Sequence, residues 1–153
     1  MRDIPSNDGP MYAWPSVEAM PDALESISQI RSERIVVIAT NALRSTEDEI
    51  RKALARVKLD DLFNRIYCYR NVGAMKPTPF FFDFILGDLG LKPGDTIMVG
   101  DDFQRDIMGA VRCGIFGIWV NRESSERRVG RLYDTIYGLG DLPAVLSRRE
   151  NEQ

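Results

Sequence analysis

Uninterrupted apolar runs alternate with stretches in which apolar residues return every three or four positions, and this alternation continues along most of the 153-residue chain. Met20, Leu24, Ile27 and Ile30 fall at helical spacing, ahead of the β-branched run "RIVVIATN" (34–41), whose lack of polar alternation predicts a strand covered on both faces. Ser45 and Asp48 have the spacing of a capping box before Ile50, Leu54 and Val57, and "FNRIYCY" (63–69) reads as a second strand. Thr78 and Pro79 open a helix over "FFFDFILGDLG" that Gly90 stops, and "KPGD" turns the chain into the strand "TIMVG" (96–100). A helix from about Gln104 to Cys113, closed by Gly114, leads to the strand "FGIWV" (116–120). Beyond Val120 the pattern weakens: "ESSERRVGRLYD" predicts a short helix and "DLPAVLSRR" a final one.

Four strands separated by helices imply parallel pairing through right-handed crossovers, an α/β doubly wound parallel sheet. The expected organisation is a polar N-terminal extension (1–15), one core domain (16–148) and a short tail (149–153). A hydrophobic fraction of 44% supports a packed core. The net charge of −3 and the scattered Lys and Arg residues give no basic field for nucleic acid. No apolar run reaches the ~20 residues that span a bilayer, and "MRDIPSNDGP" lacks a signal-peptide core, so a cytoplasmic protein is expected. Cys68 and Cys113 read as small buried hydrophobes rather than a disulfide framework.

The chain has no histidine, which leaves carboxylate, hydroxyl, thiol and ammonium groups for any chemistry. In an open parallel sheet the ligand crevice lies beyond the carboxyl ends of the strands. Thr40 and Asn41 follow "IVVIA", Asp101 and Asp102 follow "TIMVG" with Asp106 close behind, and Lys76 comes shortly after the second strand. Crowded carboxylates repel one another, and a bound Mg²⁺ relieves that repulsion; a Lys and a Thr hydroxyl suit phosphoryl oxygens. Singly, each residue has a plainer reading. Asp after a strand is as often a helix N-cap, Lys76 a surface charge, and Thr40-Asn41 a turn. No GxGxxG follows a predicted strand, which disfavours a dinucleotide site.

These motifs resemble those of the haloacid dehalogenase (HAD) superfamily of phosphohydrolases. "VVIATN" is similar to its second motif, "MKPTPFFF" to its third, "VGDDFQRDIMGAVRCG" to its fourth and "DTIYGLGDLPAVL" to its closing segment. The resemblance implies catalytic and phosphate-binding roles for Thr40 and Lys76, with Asn41 beside them. It places Asp101, Asp102 and Asp106 near a weakly held Mg²⁺ and makes a small phosphorylated molecule the partner. Acids in the fourth motif favour the phosphatase branch over the dehalogenase branch.

The family's first motif, DxDxT, whose first Asp attacks phosphorus, has no counterpart, and no Asp-x-Asp pair occurs anywhere in the chain. The expectation is therefore an HAD-like core lacking its first, central strand and its cap, like an N-terminal truncation, and inactive as this bare chain. Such a gap must be closed by direct pairing of the flanking strands, by a homodimer through the open sheet, or by "MYAW" (11–14), of which the first two are favoured. A non-catalytic module binding phosphate and Mg²⁺ or a protein, and a purely structural remnant, are the alternatives. A receiver domain of two-component signalling also groups acids, Thr and Lys around Mg²⁺. There the acids come first, whereas here Thr40 and Lys76 precede Asp101.

Overall fold

A computed structural model describes residues 10–13 and 17–152. The chain divides into two compact units, Met1–Gly73 and Ala74–Gln153. Both are α/β, and every strand pairing is parallel.

In the first unit, helix α1 (Ala23–Ile30) precedes strand β1 (Val37–Ala39), helix α2 (Glu47–Ala55), strand β2 (Arg65–Tyr67) and the single turn α3 (Tyr69–Val72). The stripe predicted for α1 is rotated: Ala23 and Ser26 are buried, while Leu24 is 47% exposed. Helix α2 starts one residue later than its expected box. Thr46, not Ser45, accepts the N–H of Glu49, and the Glu49 carboxylate accepts the N–H of Thr46 in return. Ser45 is buried instead. Strand β1 pairs with β2 in the register Ile38 opposite Ile66, and the ladder continues through the N–H of Thr40 to the carbonyl of Tyr67 at 2.9 Å. Ile50 of α2 packs with Ile66 and Cys68, joined by Ile38, Ala42 and Leu54. Burying each large aliphatic side chain contributes about 1.5–3 kcal/mol, enough to hold a short two-stranded ladder that would be marginal alone. Met11–Ala13 forms a 3-10 turn rather than the start of a strand, and Trp14 lies outside the described residues.

The second unit contains helix α4 (Pro79–Leu89), strand β3 (Ile97–Gly100), a π-helical turn (Phe103–Met108) running into α5 (Gly109–Arg112), strand β4 (Phe116–Val120), strand β5 (Tyr133–Ile136) and helix α6 (Leu142–Asn151). Proline at its N-terminus and left-handed Gly90 at its end bound α4 as the sequence requires. Its Phe81, Phe82, Ile85 and Leu86 are buried, as are Ile107, Ala110 and Ile118. The strand order is β3-β4-β5, with Gly100 opposite Trp119 and Trp119 opposite Thr135.

Three expectations are corrected. Strand β5 is a fifth strand that the sequence pattern did not reveal. The helix expected over 123–134 is absent, because polar side chains claim that backbone. The amide oxygen of buried Asn121 accepts from the N–H groups of Glu123 and Ser124, and its amide nitrogen donates to Ser124 and to the carbonyl of Glu126. Thr135 binds the backbone of Arg128 in both directions, at 2.9 and 2.7 Å. The strands ending at Thr40 and Gly100 do not pair directly, since β1 hydrogen-bonds to β2 and β3 to β4 in separate sheets. On β5, burial pushes the Asp134 carboxyl up, but the Arg127 guanidinium and the Thr135 N–H together hold it below the ordinary carboxylate range.

Candidate active site

The carboxyl end of β3 is where four of the six candidate side chains are found. Three of them meet. The Lys76 ammonium lies 2.6 Å from Asp106 Oδ1, with both side chains about nine-tenths buried at 10% and 8% exposure. The other oxygen of Asp106, Oδ2, accepts the N–H of Asp102 at 3.2 Å. Local sequence builds this corner. Asp102 Oδ1 accepts the N–H of Arg105 at 2.8 Å, so Asp102 is the N-cap of the turn that carries Asp106. The carbonyl of Asp102 receives the N–H groups of both Asp106 and Ile107, which gives the turn its wide π form.

Two glycines admit the side chains. A Cβ at Gly100 would lie 2.2 Å from Asp106 Oδ2, so the carboxylate rests directly on the last residue of β3. A Cβ at Gly109 would lie 2.9 Å from the Phe82 ring and 3.0 Å from Pro77 Cβ, so the segment presenting Lys76 sits against the start of α5. Sequence reasoning did not single out either glycine. Gly100, directly before the acids and ending an apolar run, was the available signal.

Asp101 takes no part in the Lys76–Asp106–Asp102 cluster. Its side chain is exposed, and its backbone carbonyl accepts the indole N–H of Trp119 at 3.0 Å. Thr40 and Asn41 belong to the first unit, directly after β1. Thr40 Oγ1 accepts the N–H of Ala42 at 3.2 Å, which occupies the oxygen and leaves the hydroxyl proton for a further acceptor.

The corner is a neutralised carboxylate rather than a bare acidic cluster. Among the described residues no group of three acidic or sulfur side chains is arranged to hold a metal ion. The donor set therefore fits a divalent ion only in part: Asp101 offers hard oxygen ligands, Asp106 is balanced by Lys76, and Asp102 is engaged as a cap.

Comparison with known proteins identifies the family. Residues 7–114 match the family model described as haloacid dehalogenase-like hydrolase. The pyrimidine 5'-nucleotidase YjjG of Escherichia coli (strain K12) is 30% identical over 131 residues, covering 84% of this chain and 57% of that protein. A solved structure of an uncharacterized protein from Listeria monocytogenes serotype 4b superposes with a TM-score of 0.81 at 25% identity, covering 94% of this chain and 88% of the other. A HAD phosphatase from Thermococcus onnurineus superposes with a TM-score of 0.71 at 28% identity, over 84% of this chain and 58% of that one. The chain spans about half the length of the curated relatives it matches. Motif order, the lysine–aspartate corner at the end of β3 and these matches together place the chain in the haloacid dehalogenase-like hydrolase family.

Proposed function

We propose that this chain carries the phosphate-binding and charge-balancing residues of a phosphatase-type hydrolase, and that as chain 1–153 it binds a small phosphorylated molecule without hydrolysing it. The observation that carries the reading is the buried Lys76–Asp106 pair resting on Gly100 at the carboxyl end of β3. A lysine neutralised and fixed in place by an aspartate is a pre-set point charge, and it can meet phosphoryl oxygens with little reorganisation. Thr40 contributes a hydroxyl whose oxygen is already satisfied and whose proton is left to donate, with Asn41 next to it. Magnesium is the cation suited to oxygen donors of this kind. We assign Asp101 as its protein ligand, with Asp102 and Asp106 alongside, and expect weak binding. When bound, such an ion withdraws charge from phosphoryl oxygens.

The inactivity rests on chemistry. Family hydrolysis proceeds by attack of an aspartate on phosphorus, splitting one hard step into two through a covalent intermediate. No Asp-x-Asp pair is present here to supply the nucleophile and the adjacent acid. Lys76 and Thr40 are left to bind and orient the ester, and that alone does not break the P–O bond.

The test pairs turnover with binding. Chain 1–153 with Mg²⁺ is expected to hydrolyse p-nitrophenyl phosphate no faster than buffer, while inorganic phosphate shifts the amide NMR signals of Thr40, Asn41 and Lys76. Mg²⁺-dependent turnover that disappears in Asp101→Asn would overturn the inactivity and show that another carboxylate attacks phosphorus. Signals indifferent to millimolar phosphate would overturn the binding role.

A further inference from the structure

We propose that Trp119 and Arg128 are positioning residues that fix the segment Asp101–Phe103 at the end of β3. Trp119 lies on β4 directly across from Gly100, so its indole borders the last residue of the neighbouring strand. Its N–H, the one hydrogen-bond donor an indole has, goes to the carbonyl of Asp101 at 3.0 Å. Two residues on, the Phe103 ring meets the Trp119 ring edge-to-face at 5.5 Å and the Tyr133 ring at 5.5 Å. The segment is thus gripped at both ends, at the carbonyl of residue 101 and at the ring of residue 103. Between them lies the N–H of Asp102, the group that meets the Asp106 carboxylate.

Arg128 closes the grip from the loop side. Its guanidinium lies 4.4 Å from the Phe103 ring centre and 4.7 Å from that of Trp119, covering both rings. The guanidinium is itself aimed: Glu126 accepts from it at 2.8 and 3.3 Å, and the Arg128 backbone is tied to Thr135 in both directions. A line of contacts therefore runs from the loop after β4 through two aromatic rings to Asp101 and Asp102, and on to Asp106 and Lys76. Aromatic residues that served packing alone would not need the indole N–H to end on the first candidate ligand after β3. Nor would they need a half-exposed arginine held in register above them.

Amide hydrogen exchange on the full chain tests this. The N–H groups of Asp102, Arg105 and Asp106 are all hydrogen-bonded at this corner and serve as reporters, with those of Thr40 and Leu91 as references. Trp119→Phe keeps a ring and removes the donor. It is expected to lower protection at the three reporters about two- to tenfold, with the references unchanged. Arg128→Gln, at a half-exposed position, is expected to lower the same three about two- to fivefold, and it decides the matter if Trp119→Phe does not fold. A uniform fall across the chain, or no fall at the reporters, would overturn the proposal and return the cluster to plain packing. The proposal rests on the hydrolase-site reading only for the purpose of the grip. A wild-type chain that ignores phosphate and Mg²⁺ yet loses protection locally in Trp119→Phe keeps the positioning device and loses the site reading.

Discussion

Replacing Asp106 with asparagine keeps the shape and an oxygen able to accept the N–H of Asp102, and removes only the charge opposite Lys76. Because both partners are about nine-tenths buried and 2.6 Å apart, solvent screens the pair little. Removing one partner of a buried ion pair typically costs about 3–5 kcal/mol, well above the ~0–1 kcal/mol of a surface pair. For a chain of this size each kcal/mol corresponds to roughly 2–4 °C, so Asp106→Asn is expected to melt roughly 6–20 °C lower. Lys76→Met should cost a similar amount by stranding the carboxylate. The double variant Lys76→Met/Asp106→Asn strands neither, and is expected to recover at least ~2 kcal/mol relative to the sum of the singles. Urea unfolding followed by circular dichroism measures all three. Single variants within about 1 kcal/mol of wild type, with an additive double, would refute the reasoning and show that water reaches the pair.

Gly100→Ala should cost about 1–3 kcal/mol by the same assay, because the added methyl collides with the Asp106 carboxylate; a neutral outcome would show that β3 ends further from residue 106. Thr46→Ala removes the α2 cap and is expected to cost about 1 kcal/mol, read as a lower melting temperature. Asp134 has a folded-state pKa below the ordinary aspartate value of about 3.9, so its contribution is full above that value and fades as pH falls through it. The Arg127–Asp134 pair is largely exposed, so Arg127→Gln should lower the urea midpoint only slightly at pH 6, with the difference shrinking as the pH falls toward 3. Millimolar Mg²⁺ is expected to raise the melting temperature by mass action and to do so less in Asp101→Asn; an equal rise in both would remove Asp101 as a ligand.

The strands and helices with strong periodicity were legible because burial on two faces or on one stripe leaves its mark on hydropathy. Strands β1 to β4 and helices α2, α4 and α6 emerged near their observed positions. Strand β5 escaped because "YDTI" is too short and too mixed in polarity to stand out, and its pairing with β4 is a matter of tertiary contact. The α2 cap was misplaced by one residue because serine and threonine stand side by side and either satisfies the pattern. At the site, Asp102 follows the plainer reading as an N-cap. The partnership of Lys76 with Asp106 spans thirty positions, beyond the reach of local spacing. The same holds for Trp119 and Asp101, whose bond depends on strand register.

The π-helical turn makes even its exposed positions sensitive to a change in chain length. Asp102 serves two successive N–H groups, and that wide loop is what brings residue 106 back over Gly100. A one-residue deletion at Gln104, an exposed position where substitution should be mild, would let the turn tighten into an ordinary α-helix. The acid would then be carried about 100° around the helix axis, away from the lysine. An indel scan should therefore find low tolerance at Gln104 and Arg105, exposed positions where an amino-acid scan finds little.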